Sequence, residues 1–131
     1  MLDEAGLNRA VHVTHISDGT LRYLCLLAII FNPRCGRLVC IEEPEVGLHP
    51  DMLSELMQAI MKNGGKTQFV ITTHSNLILN QLPVSDVIVF EKDEKNRTEV
   101  RDFRDKEYEE WASQYSTGTL WRNGDLGGNR Y

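Results

Sequence analysis

Two kinds of hydrophobic pattern alternate along the first ninety or so residues. Residues 21–31 are apolar at nearly every position once Arg22 and Tyr23 are passed. That pattern predicts a helix buried on all sides. Ser17-Asp18-Gly19-Thr20 stands before it, with the short polar side chains that suit a helix start. Asn32-Pro33 ends it, because a residue before proline is pushed out of the α region. Arg37-Leu38-Val39-Cys40-Ile41 is a short continuous run between Gly36 and Glu42, the pattern of a strand buried on both faces. A second helix is predicted from Pro50, with Leu53, Leu56, Met57, Ile60 and Met61 as its stripe and Asn63-Gly64-Gly65 as its end. Residues 67–72 predict a second buried strand, residues 76–80 a short helix and residues 87–90 a third strand. Residues 98–103 alternate and can pair with that third strand through the polar turn at 93–97.

The ends carry weaker signals. Val11, Val13 and Ile16 alternate and allow a short strand. Tyr108, Trp111 and Tyr115 share one helical face, which predicts a docking stripe. The tail from residue 116 is glycine-rich and reads as irregular. Buried strands alternating with helices predict an α/β fold, with mostly parallel core strands flanked by helices and a C-terminal β-hairpin. At 131 residues the chain is one domain or part of one, with residues 104–131 as a polar helix and glycine-rich tail.

Composition narrows the classes. The net charge of −5 argues against a dominant basic surface for nucleic acid, though DNA contacts within a larger complex stay open. Of the three cysteines, Cys25 and Cys40 lie in apolar runs and read as core residues, and Cys35 lies in a polar turn. The odd count without a C-x-x-C pair disfavours a disulfide framework or a zinc site, and a reducing cytoplasm fits best. The first ten residues lack the apolar stretch of a signal peptide. The longest apolar run, residues 24–31, is too short to span a bilayer, so no membrane association is expected.

The polar residues that interrupt this pattern stand at strand ends, where open α/β sheets bind ligands. Leu38-Val39-Cys40-Ile41 runs straight into Glu42-Glu43. Two carboxylates at one strand end suit nucleotide hydrolysis: one associates with Mg²⁺ through its water shell, the other polarises an attacking water. The bland alternative is a strand entering an acidic turn. Pro44-Glu45-Val46-Gly47-Leu48-His49-Pro50 is either a plain loop before a helix or a rigid loop placing His49 beside the carboxylates and a partner subunit. Thr72-Thr73-His74-Ser75 puts a histidine at the second strand's end, where it can donate to a phosphate oxygen, or serve structure alone. Ser17-Asp18-Gly19-Thr20 is a helix cap or, with its N–H groups and the close approach Gly19 permits, a phosphate contact. Gly64-Gly65-Lys66-Thr67 mimics the end of a P-loop. However, the motif's first glycine would fall on Ile60, and the segment lies between a helix and a strand in the wrong order.

In this order, the four segments resemble the second half of an ABC-type ATPase head, most closely the RecF/SMC-like branch with its predicted AAA/OLD-like ATPases. Ser17, Asp18, Gly19 and Thr20 are similar to a variant signature loop. Residues 38–43 resemble a Walker B strand, with Glu42 at the magnesium-associated position, where aspartate is commoner, and Glu43 at that of the catalytic glutamate. Gly47, Leu48, His49 and Pro50 resemble the D-loop, and His74 the switch histidine. The resemblance implies ATP and Mg²⁺ as cofactors in the complete protein and a head-to-head dimer, in which the signature loop acts on the partner's nucleotide. It covers roughly residues 10–90 and lacks the Walker A P-loop and the Q-loop. A nucleotide would therefore be gripped by an N-terminal P-loop lobe or a second ATPase subunit, and a homo-oligomer is expected. Two other readings stand beside this one: a catalytically inactive interaction module that pairs with an intact ATPase, and an unrelated small α/β domain.

Overall fold

Ser17 opens the first helix as expected. Its backbone is extended, and its hydroxyl accepts the N–H of Thr20 at 3.2 Å, relieving one of the four orphan donors of a helix start. The structure, a computed structural model, describes residues 16–105, 108, 112 and 114–127. The expectations for Val11, Val13 and Trp111 lie outside these residues. The chain divides into two compact units, Met1–Thr72 and Thr73–Tyr131.

In the first unit, helix α1 (Asp18–Ile30) packs on helix α2 (Pro50–Asn63), and strands β1 (Leu38–Glu42) and β2 (Gln68–Thr72) pair in parallel. Leu53, Leu56, Met57 and Ile60 of α2 are buried, following the i, i+3, i+4, i+7 spacing of one helical face. Full burial of Leu56 and Met57 contributes roughly 2–3 kcal/mol each. Met61 falls off that face and is exposed, while Ala59 is buried in its stead. The Gly64-Gly65-Lys66-Thr67 segment is the turn between α2 and β2. Thr67 Oγ1 donates to the Gly36 carbonyl at 3.1 Å, and the Gln68 N–H to that of Arg37 at 2.8 Å, which starts the β1–β2 ladder.

Three expectations fail here. Helix α1 is not buried all round: only Leu26 and Ile30 are buried, and Ile29 is exposed. Strand β1 is covered on one face only, since Ile41 is buried and Leu38 is 55 % exposed. Cys25 and Cys40 are exposed rather than core residues. The physical reason is common to all three. A continuous apolar run reports that a segment can be buried on every side, but a two-stranded sheet with two helices in contact does not supply enough layers to do so.

In the second unit, helix α3 (Asn76–Leu79) starts at Ser75, whose hydroxyl accepts from the Leu77 N–H. A single 3-10 turn follows over Val84–Asp86. Strands β3 (Ile88–Lys92) and β4 (Thr98–Asp102) form the expected antiparallel hairpin, in the register Ile88 to Asp102, Phe90 to Val100 and Lys92 to Thr98. The hairpin is a sheet of its own: β3 does not join the parallel pair, so parallel pairing is limited to β1 and β2 among the described residues.

The tail corrects another expectation. Residues from Thr117 form helix α4 (Thr117–Asn123), closed by Gly124 in the left-handed conformation. Gly118 lies so close to α3 that a Cβ would fall 2.4 Å from Asn80 Oδ1, which explains a glycine inside that helix. Leu79, Val84, Val87, Val89, Phe103, Leu120 and Leu126 make this unit's core. Tyr108 packs on it, edge-on to Phe103 at 5.2 Å between ring centroids, whereas Tyr115 is exposed and does not dock.

Candidate functional site

The two carboxylates leave β1 on backbone that is unlike the strand before it. Glu42 is the last strand residue, paired with Thr72, and is exposed. The Glu43 N–H still donates to the Thr72 carbonyl at 2.9 Å, extending the parallel ladder by one bond. At the same residue the chain turns into left-handed conformation, with φ 41° at Glu43. A side chain there costs on the order of 1 kcal/mol relative to ordinary backbone. Pro44, fully buried, fixes the exit from the turn. The Val46 N–H donates to the Glu43 carbonyl at 3.1 Å and the Leu48 N–H to that of Glu45 at 3.1 Å.

Two contacts from α1 hold this turn. Arg22 donates through Nη2 to the carbonyl oxygen of Glu43 at 2.9 Å and to that of Glu42 at 3.4 Å. Arg22 is a site residue that no motif in the sequence marks. Its one signal is that it is the lone basic residue of a mostly apolar helix. The second contact is steric: a Cβ on Gly19 would lie 2.4 Å from the Gly47 carbonyl oxygen, so only glycine allows α1 this close to the loop. Gly47 itself has φ 76°. The residues picked out as signature-like and D-loop-like are thus in contact within the first unit.

His49 caps α2: its Nδ1 accepts the Asp51 N–H at 3.3 Å, and Pro50 occupies the first turn. The Asp51 carboxylate lies 3.5 Å from the same nitrogen, which cannot accept the amide proton and donate to the carboxylate at once. The amide contact is the shorter and assigns Nδ1 as an acceptor. His49 therefore does structural work as a cap while its ring stays largely exposed. Ser17 likewise caps α1, and its hydroxyl also shares a hydrogen bond with Thr20 Oγ1 at 2.8 Å. Asp18 puts a carboxylate in the first turn of α1, where it complements the helix dipole. Leu48 and Thr20 are half-buried.

His74 belongs to the second unit, two residues past the end of β2, and is exposed. The Ser75 N–H beside it donates to Thr73 Oγ1 at 2.9 Å, giving the segment a defined turn. The site residues of the first unit are therefore brought together, from Ser17 to Arg22 and from Glu42 to Pro50. Among the described residues no three acidic, histidine or cysteine side chains converge as a metal cage. No helix described is long and apolar enough to cross a membrane.

The match to known proteins covers most of this ground. Residues 2–80, more than half of the chain, fit the family model described as "AAA domain, putative AbiEii toxin, Type IV TA system". That stretch contains α1, β1, the Glu42-Glu43 turn, α2, β2 and His74. An AAA domain is an ATPase-type domain of the P-loop class and implies nucleotide binding. With more than half of its length matched, the chain belongs to this AAA-domain family.

Proposed function

We propose that the chain supplies the hydrolytic carboxylates of an ATP-hydrolysing head of the ABC type, in the RecF/SMC-like branch. The observation that carries the reading is the Glu43 turn: a carboxylate on strained backbone, tied by its N–H to Thr72 and by its carbonyl to Arg22. Strain of this kind persists where the surroundings over-determine it, and it gathers at sites that need a side chain aimed in one direction. Glu43 is the general base that takes a proton from the water attacking the γ-phosphate. Glu42, exposed at the strand end, suits a hard cation that keeps most of its water. Mg²⁺, when bound there with ATP, would neutralise charge on the phosphate oxygens. His74 donates a hydrogen bond to the γ-phosphate.

Ser17, Asp18, Gly19 and Thr20 complete a partner's nucleotide site, and residues 47–50 form the loop beside it. Triphosphate grip comes from a P-loop lobe or second ATPase subunit, since the 131 residues contain no G-x-x-x-x-G-K-[ST]. The alternative reading is a non-catalytic module that pairs with an intact ATPase. DNA maintenance and phage defence are the coupled processes proposed; the family's description speaks of a putative toxin of a type IV toxin–antitoxin system.

The test supplies the P-loop lobe in cis or in trans and measures phosphate release. Glu43→Gln should lower turnover by at least a hundredfold while sparing ATP binding. Unchanged turnover removes Glu43 from the mechanism. Calorimetry with ATP and Mg²⁺ on the chain alone separates the two readings, because tight binding counts against the non-catalytic module.

A further inference from the structure

The hairpin of the second unit carries an unused edge. Strand β4 pairs with β3 on one side and with no strand on the other among the described residues, and all five of its residues are exposed. Natural sheets guard such edges with charge, and Glu99 and Arg101 would serve that purpose against most strands. Their placement is symmetric about Val100, however, in the order Thr98-Glu99-Val100-Arg101-Asp102.

We infer that β4 is a self-pairing edge, and that its partner is the β4 of a second copy of this chain, run antiparallel and centred on Val100. In that register Glu99 of each copy faces Arg101 of the other, on both sides of the two-fold axis. Opposite charges directly across an antiparallel ladder attract, whereas like charges repel. Against an unrelated strand the same two charges offer no such match.

The backbone supports the register. The Asp93 N–H donates to the Arg97 carbonyl at 2.9 Å, so this pair closes the hairpin as a hydrogen-bonded one. In an antiparallel ladder hydrogen-bonded and non-hydrogen-bonded pairs alternate. Glu99 and Arg101 then spend their backbone groups on β3, while those of Thr98, Val100 and Asp102 point to the open edge. Val100 thus pairs with its own copy, and Thr98 with the copy's Asp102.

The side chains agree. Phe90 lies directly across from Val100 on the outward face, and the two are 66 % and 57 % exposed. Pairing two copies makes a four-stranded sheet in which Phe90, Val100 and their counterparts form one cross-strand apolar row. On the opposite face Arg101 already bonds Glu91 and keeps half its side-chain surface open to reach a second carboxylate. This interface does not involve the residues of the proposed nucleotide site and needs no nucleotide.

Light scattering on the whole chain without ATP or Mg²⁺ tests it, with circular dichroism to check that each variant folds. The wild-type chain should dimerise with rising concentration, and Glu99→Arg should weaken the dimer about tenfold or more by setting arginines against each other. Arg101→Glu should do the same by setting glutamates against each other. An equimolar mixture of the two variants should regain a dimer, because every cross-strand pair in the mixed species is then attractive. A wild-type chain that stays monomeric at high concentration overturns the inference, as does a Glu99→Arg dimer as tight as wild type or a mixture no tighter than its components. Loss of ATP turnover bears on Glu43 and leaves this test untouched.

Discussion

Glu43 sets stability against purpose within one residue. Its left-handed backbone favours glycine, so Glu43→Gly should raise stability by roughly 0.5–1 kcal/mol in thermal or urea unfolding while removing the proposed base. A glutamate kept where glycine fits better is what a functional constraint looks like in backbone terms. Gly19 shows the converse constraint. Gly19→Ala drives a Cβ into the Gly47 carbonyl and should cost about 1–3 kcal/mol, because both partners are backbone and cannot swing aside. Gly65→Ala is the control: its Cβ meets nothing within 4 Å, and its effect should stay within about 0.5 kcal/mol. Equal effects for the two substitutions in urea titration would show that the α1 approach does not bear on stability. Arg22→Ala removes the Nη2 donor shared by the carbonyls of Glu42 and Glu43, and should lower turnover in the phosphate-release assay by loosening the turn that aims Glu43.

At the scale of elements, α2 and the hairpin are stabilised by different physics. Helix α2 depends on burial. Leu56→Ala should cost about 2–5 kcal/mol, with the size set by how far α1 collapses into the space. The hairpin depends on its turn. Asp93 Oδ1 accepts the N–H groups of Lys95 and Arg97 at 2.8 and 2.7 Å, and Oδ2 meets Arg97 Nε at 2.7 Å. The Arg97 backbone N–H holds the Asp93 carboxyl below its ordinary value, assisted by the Arg97 side chain and the Lys95 N–H. Asp102 is held low in the same direction, first by its side-chain bond to Arg104. A carboxylate whose folded pKa is depressed contributes stability above its unfolded pKa and loses it as pH falls through the folded one. The hairpin should therefore be at full strength above about pH 5 and lose support below about pH 4. Asp93→Asn keeps the acceptor for the turn but not the charge, so it should flatten that acid limb in pH-dependent amide exchange. An acid limb unchanged by Asp93→Asn would assign the effect to other carboxylates.

For the molecule as a whole, charge governs colloidal behaviour. The net charge of −5 at neutral pH passes through zero near the sequence pI of 5.3, so non-specific association measured by turbidity should peak near that pH. That association differs from the β4 pairing, which depends on the cross-strand match of Glu99 with Arg101. Much of the molecule could be read without coordinates. The α2 stripe, the Ser17 cap, the short strands and the 93–97 turn followed from local rules, because periodicity, capping and turn chemistry act within a few residues. The paired carboxylates after β1 and the false P-loop followed in the same way, from residue types in order. Burial did not. The exposed face of β1, exposed Cys25 and Cys40, and the buried first turn of α4 depend on which layers cover which face, and no local pattern records that. Arg22 bonding to Glu43 and the Gly19–Gly47 approach join residues more than twenty positions apart. The sequence by itself determined which segments become helices and strands and where carboxylates emerge from them. Only tertiary structure decided the left-handed turn at Glu43 and its arginine clamp, because that conformation is unfavourable locally and survives only when distant groups hold it.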